Sequence, residues 1–181
     1  MRVIAGSAKG TKLAKVPDGT RPMTDRAREG LFSSLAPDLP GARVLDLYAG
    51  TGAVGVEALS RGAAAAVFVD RATGPAKAIA ENLRRTKLED RARVVRAEVL
   101  TFLRGEAEPF GAVFLDAPYD LAEELDQVFD LLRGGWLAPD RAWTVMLSRA
   151  PKGYTPVTPL EWVAQKRLNY GDTLITLYRE V

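Results

Sequence analysis

In the segment Arg43-Val44-Leu45-Asp46-Leu47-Tyr48-Ala49-Gly50-Thr51-Gly52-Ala53-Val54-Gly55, a β-branched and leucine run meets a cluster of glycines. The run Arg43–Leu47 is short, apolar and followed by a turn signal, which predicts a buried strand. Beyond the glycines, Val54, Val56, Ala58 and Leu59 lie among helix formers and Gly62 supplies a stop, so residues 53–61 are expected to be helical. Strand, glycine turn and helix in that order form the first half of a βαβ unit.

The same beat continues outward. Ala65–Val69, Arg93–Arg96, Ala112–Leu115 and Trp143–Leu147 read as further buried strands. Thr73 is expected to cap a helix through Ala76, Ile79, Ala80 and Leu83, with Arg84 and Arg85 in its last turns. Val99–Leu103 is a helical turn or two. Leu121, Leu125, Val128, Phe129 and Leu132 mark one face of a helix that ends at Gly134-Gly135. Strands alternating with helices predict an α/β fold with a mainly parallel sheet. Near the C-terminus, Trp162–Leu168 and Thr173–Tyr178 flank the turn signal Asn169-Tyr170-Gly171-Asp172 and read as an antiparallel hairpin closing a sheet edge. Ahead of the core, Arg2–Gly6 is expected to be a strand, Ser7–Thr20 a basic loop or hairpin, and Asp25–Leu35 a helix capped by Thr24. Residues 1–40 form a basic arm and helix, residues 41–181 the core, and the two together one domain. Trp136, Trp143 and Trp162 are expected in the core.

Composition narrows the chemistry. A chain of 181 residues that is 47% hydrophobic and 27% charged fits one globular domain. It has no Cys and no His, which removes disulfide scaffolds, Cys/His zinc sites, thiol nucleophiles and imidazole triads. Acid–base work falls to carboxylates, Tyr, Lys or backbone groups, and no spacing points to an all-carboxylate metal site. No run approaches the roughly 18 apolar residues of a membrane span, and Met1–Gly10 lacks the apolar core of a signal peptide. A cytoplasmic protein is the expectation. Charge is uneven: residues 1–43 hold eight bases and four acids (+4), residues 44–148 twelve and sixteen (−4), and residues 149–181 five and three (+2). Basic ends suit a polyanion and an acidic middle tolerates a cationic ligand; from the counts alone, ordinary surface charge is the better explanation.

Gly50-Thr51-Gly52-Ala53-Val54-Gly55 matches G-x-G-x-x-G between strand and helix, and Asp70 follows Gly50 by 20 residues, at the end of the next strand. Glycines admit a ligand close to the backbone, the helix N-terminus offers free N–H groups, and the acid suits ribose hydroxyls. That much fits a dinucleotide or a nucleoside. Asp46, four residues before Gly50, separates them. A carboxylate there repels a pyrophosphate and suits a cation such as the ammonium of S-adenosylmethionine. At this point the chain resembles the class I methyltransferases. The likeness implies that Asp46, Gly50 and Gly52 hold the methionine part and Asp70 the ribose. Glu98 then stands near the adenine amine or serves as an ordinary carboxylate at a helix start.

Phe114-Leu115-Asp116-Ala117-Pro118-Tyr119 ends the fourth strand and is similar to the [DN]-P-P-[FY] motif of enzymes that methylate exocyclic base amines. Such an amine is a poor nucleophile because its lone pair is delocalised into the ring. A carboxylate and a backbone carbonyl that accept its two N–H bonds orient it, while an aromatic side chain stacks on a base turned out of its helix. Ala117 replaces the first Pro of the motif. Its carbonyl can still accept, although the fixed φ of proline is lost.

The N-terminal block is the specific part. Arg2-Val3-Ile4-Ala5-Gly6, Gly10, Lys12-Leu13 and Thr20-Arg21-Pro22-Met23-Thr24-Asp25-Arg26-Ala27-Arg28-Glu29-Gly30-Leu31-Phe32 resemble the RsmD family of bacterial 16S ribosomal RNA guanine-N2 methyltransferases. Asp46-Leu47-Tyr48-Ala49-Gly50-Thr51-Gly52, Glu57-Ala58-Leu59-Ser60-Arg61-Gly62-Ala63 and Asn169-Tyr170-Gly171-Asp172-Thr173 extend the likeness over nearly the whole chain. Ser7-Ala8 departs from the bulkier, Trp-containing stretch of many members. The resemblance implies a class I Rossmann-like sheet and S-adenosylmethionine as cofactor, contacted by Asp46, Tyr48, Gly50, Thr51, Gly52, Asp70, Arg71, Glu98, Val99 and Thr24. It implies a catalytic set of Asp116, Ala117, Pro118 and Tyr119. The partner it implies is 16S RNA within an assembled small-subunit particle, met by a monomer through Arg2, Lys9, Lys12, Lys15 and Arg21. Each of those bases equally fits a solvated basic hairpin, and Arg21, Thr24 and Arg28 equally fit caps and pairs along their own helix. Three rivals stay open: a DNA adenine methyltransferase sharing the Asp116–Tyr119 motif, a nicotinamide dehydrogenase that leaves Asp46 and Asp116 unexplained, and a non-catalytic RNA-binding assembly factor.

Overall fold

The computed structural model describes residues 1–15, 23–117, 122–139, 142–149 and 159–181. Seven strands form one mixed sheet: β1 (Arg43–Leu47), β2 (Ala65–Asp70), β3 (Ala92–Arg96), β4 (Ala112–Leu115), β5 (Trp143–Arg149), β6 (Trp162–Tyr170) and β7 (Thr173–Glu180). Their order is β3-β2-β1-β4-β5-β7-β6. The first five are parallel, with Asp46 in register with Phe68 on one side and Phe114 on the other. β7 runs antiparallel between β5 and β6. The helices are α1 (Asp25–Leu35), α2 (Ala53–Ser60), α3 (Thr73–Thr86), α4 (Val99–Leu103) and α5 (Ala122–Leu132).

Both faces of the sheet are covered, as parallel strands require. On one face Leu31 and Phe32 of α1, Val56 and Leu59 of α2, and Ile79 and Leu83 of α3 pack with Val44, Phe68 and Phe114. On the other, Leu103 of α4 and Val128, Phe129 and Leu132 of α5 meet Leu45, Leu47, Val113 and Leu115. Trp136 and Trp162 are buried there, whereas Trp143 is only partly buried, its Nε1 donating to Asp38.

Local chemistry sets the element ends. Thr24 is extended (φ −64°, ψ 154°) and its hydroxyl accepts from Ala27 N, as expected of a cap. Thr73 is not the cap of its helix but its first residue; the capping position falls to Ala72, and the Thr73 hydroxyl accepts from Arg96 Nη1. The hairpin turn lies at Gly171-Asp172, and β6, not β7, is the edge strand.

The expected strand over Arg2–Gly6 does not form. Only Arg2 pairs, bridging Lys12 in antiparallel sense, because the amides of Ile4 and Ala5 point elsewhere. They donate to the carboxylate of Glu57 on α2 at 2.8 and 3.0 Å. Gly6 then turns at φ +85°, so tightly against α2 that a Cβ there would lie 1.8 Å from Ser60 O. Ser7 N donates to Ser60 O and Ala8 N to Ser60 Oγ. Arg61 Nε donates to Glu57 at 2.8 Å, and Arg28 Nε lies 3.7 Å from it. Glu57 and Arg28 are both fully buried. Burial lowers the Arg28 pKa, against the attraction of Glu57 and Asp25. A buried carboxylate with two arginines and two backbone amides thus fastens the arm to α2. Removing one member of such a set leaves uncompensated buried charge. Glu57→Ala is therefore expected to cost about 3–5 kcal/mol, read as a lowered urea midpoint, whereas Arg84→Ala on the exposed face of α3 should leave the midpoint unchanged.

Candidate functional site

The carboxyl ends of β1, β2, β3 and β4 meet at the point where strand order reverses, between β1 and β4, which is where open α/β sheets bind ligands. Three acids converge there. Asp46 is 2% exposed and accepts from Gly55 N at 2.9 Å, the one hydrogen bond it receives from the helix that follows. Asp70 ends β2 and accepts from Gly50 N at 3.0 Å and Ala72 N at 2.9 Å. Asp116 follows β4, its amide continuing the ladder to Leu47 O. Burial pushes the Asp46 carboxyl well above the ordinary range; the Gly55 hydrogen bond works against this, and Asp116 and Asp70 add to the rise. No Lys or Arg among the described residues pairs with Asp46.

The glycines are required by shape. Gly50 (φ 55°) and Gly52 (φ 71°) adopt the left-handed region. A Cβ on Gly55 would sit 2.3 Å from the Phe68 ring and 3.1 Å from Asp46 Oδ2, so only glycine lets α2 descend onto the acid. Tyr48 is also left-handed (φ 58°), a costly conformation for a side chain of this size, and is anchored by its hydroxyl donating to Glu124 of α5 at 2.7 Å. Burial, together with Glu124, raises the Tyr48 pKa, so the phenol stays a donor.

The remaining expected residues divide by position. Arg71 and Glu98 lie at the same edge as an exposed ion pair at 3.7 Å. Glu98 occupies the capping position of α4, yet its side chain makes no capping bond, and Val99 behind it is buried. Ala117 is partly buried beside Asp116. Pro118, Tyr119 and Arg21 lie outside the described residues. Thr24 caps α1 with its hydroxyl. Arg2, Lys9, Lys12 and Lys15 are exposed along the arm; Arg2 faces Asp25, and Lys12 O accepts from Arg85. Two residues were not singled out from sequence. Glu124 anchors Tyr48, and Asn82, fully buried on α3, donates to Thr51 O at 2.9 Å and accepts from Ala14 N at 2.6 Å. Asn82 had a legible signal: it falls on the apolar stripe of Ile79 and Leu83, where a polar residue needs partners.

Five parallel strands, β7 antiparallel beside them, a glycine loop after β1 and acids at the ends of β1, β2 and β4 together define the class I methyltransferase fold. Among solved structures, the Escherichia coli protein yhhF superposes with a TM-score of 0.86 at 36% identity, covering 99% of this chain and 97% of that one. The family described as "Conserved hypothetical protein 95" matches residues 1–179, and the chain belongs to that family. Several curated relatives are named ribosomal RNA small subunit methyltransferase D, among them one from Escherichia coli and one from Haemophilus influenzae. The one from Escherichia coli (strain K12) is 38% identical over 99% of this chain and 89% of its own length. The other, from Haemophilus influenzae, is 33% identical over 99% and 93%.

A carboxyl whose folded pKa is raised binds its proton more tightly in the folded than in the unfolded state. Stability falls as pH rises from the unfolded value through the folded one. Asp46→Asn removes that penalty while keeping an acceptor for Gly55 N. The variant is expected to melt above the wild type at neutral pH, with the gap closing as pH drops toward the ordinary carboxylate range; thermal melts across pH check this.

Proposed function

We propose that this protein transfers the methyl group of S-adenosylmethionine to the exocyclic N2 of a guanine in small-subunit ribosomal RNA. The observation that carries the reading is Asp46, a buried carboxylate at the glycine loop, flanked by two further acids and paired with no described cation. Such a site favours an ammonium group and disfavours the pyrophosphate of a dinucleotide. When bound, the cofactor supplies an electrophilic methyl group on a sulfonium.

The chain's own residues do the rest. Asp46 takes the ammonium, with Gly50, Thr51 and Gly52 bringing backbone close to the methionine part. The Asp70 carboxylate, held by Gly50 N and Ala72 N, keeps lone pairs for ribose hydroxyls. Glu98, paired with Arg71 and free of capping duty, serves the adenine amine beside Val99. Asp116 and the Ala117 carbonyl accept the two N–H bonds of the base amine, which fixes its lone pair in line for attack, and Tyr119 stacks on the base. Thr24 adds a contact from the start of α1. Arg2, Lys9, Lys12, Lys15 and Arg21 meet RNA phosphates. The acceptor is the assembled small-subunit particle, met by a monomer in the cytoplasm. The names of the two curated relatives support ribosomal RNA as substrate class. Among the described residues no helix is long and apolar enough to cross a membrane, which accords with the cytoplasmic reading.

The test is transfer of a labelled methyl group to unmodified small-subunit particles, naked 16S RNA and duplex DNA in parallel, followed by mapping of the product. Label on a guanine N2 of particle or RNA is the expected result; label on DNA alone, or none with cofactor bound, refutes it. Asp116→Ala should keep cofactor affinity and lower transfer by about a hundredfold or more, the scale of a lost acid–base or orienting group. Because the ionised form of Asp46 binds the cation, affinity for S-adenosylmethionine should rise with pH through the titration of that carboxyl. In Asp46→Asn that pH dependence should be lost.

A further inference from the structure

The peptide joining Thr51 to Gly52 lies in the glycine loop, where Gly50 and Gly52 both adopt left-handed backbone. Glycine imposes almost no torsional preference, so on its Gly52 side this peptide has little intrinsic reason to hold its orientation. It is nonetheless pinned at both ends. Gly52 N donates to Ala49 O at 2.7 Å within the loop, and Thr51 O accepts from Asn82 Nδ2 at 2.9 Å from outside it. The same helix closes the loop from below, since a Cβ on Gly52 would meet Ile79 Cγ1 at 3.0 Å.

Asn82 is itself held from one further place. Its Oδ1 accepts from Ala14 N of the arm at 2.6 Å. A backbone N–H can only donate, so Ala14 decides which end of the carboxamide is oxygen and which is nitrogen, and thereby turns the NH2 group toward Thr51. Asn82 is fully buried, so its own carboxamide is left without water when either bond is lost. An asparagine suits this place because one flat group offers a donor to the loop and an acceptor to the arm.

We propose that Asn82 is a positioning residue for the cofactor loop, and that the arm, through Ala14, is part of the machinery that shapes the loop. The proposal rests on the reading that Gly50–Gly52 binds S-adenosylmethionine. It predicts that cofactor affinity depends on a contact made by a segment that need not touch the cofactor.

Two variants of the full-length chain test it, with S-adenosylmethionine binding followed by calorimetry. Asn82→Leu keeps the number and branching of side-chain heavy atoms and removes both bonds. Ala14→Pro removes the arm's donor and leaves Asn82 and Thr51 in place. Asn82→Leu should weaken the dissociation constant about tenfold, the scale of one buried hydrogen bond, and Ala14→Pro should weaken it severalfold. In both, binding stoichiometry should stay near that of the wild type. A merely structural role would lower the stoichiometry, as a fraction of chains unfolds, and leave the constant unchanged; that result overturns the proposal. Wild-type affinity in either folded variant also overturns it, and if Asn82→Leu does not fold, Ala14→Pro decides alone. Failure of the wild type to bind S-adenosylmethionine overturns instead the reading of the loop on which the proposal stands.

Discussion

Four groups converge on the carboxylate of Glu57: the amides of Ile4 and Ala5, the guanidinium of Arg61 and, without hydrogen-bond geometry, that of Arg28. The start of the arm is fastened to α2 through this convergence. Among its described residues the arm has one bridge of its own, Arg2 to Lys12, and buries Val3, Ala8 and Leu13. It stays ordered because α2 offers it acceptors. Since α2 also begins at the glycine loop, the arm is attached to the same rigid element that presents the loop. Arm and loop are therefore placed relative to one another by this short helix and by Asn82 of α3.

The two buried carboxylates flanking that arrangement make an instructive pair. Glu57 is surrounded by positive charge and donors and has no position left for a ligand. Asp46, at the other end of α2, receives one amide and faces two more acids. Burial is the same in both; compensation is not. An ionised group removed from water is tolerable when neighbours neutralise it, and it is a latent binding site when they do not. The contrast separates a structural acid from one kept for chemistry without reference to any relative.

Much of this was legible in the sequence, and the reasons differ by element. The strands from Arg43 to Trp143 were readable because parallel strands buried on both faces are continuous apolar runs, and the glycine turn marked the sheet's functional edge. Thr24 and the helix after it were readable from capping chemistry. The arm was not: Arg2–Gly6 has the alternation of a strand, but its amides go to a side chain 52 and 53 residues away, a choice no local pattern encodes. Thr73 missed the cap by one position: the extended backbone that precedes the helix belongs to Ala72, and the Thr73 hydroxyl accepts from Arg96 instead. At the site, the acids and glycines announced themselves by type and spacing. Glu124 did not, and Asn82 showed only as a polar residue on an apolar stripe; each acts through another residue, and only the packing of α3 and α5 shows which one.

The position of β7 has a consequence for how the chain reaches this state. β6 is an edge strand whose neighbour in the sheet is β7, and β7 is also what joins it to β5. During synthesis β6 therefore leaves the ribosome with no strand to pair with, and the Trp162 and Tyr170 side chains it carries wait uncovered. Tyr170 closes against Gly30 of α1, where a Cβ would lie 1.7 Å from its hydroxyl, so α1 also lacks part of its cover until then. Sealing thus waits on residues 173–180: the parallel half can assemble as it emerges, but the sheet is complete only when its seventh strand pairs with β5 and brings β6 in beside it.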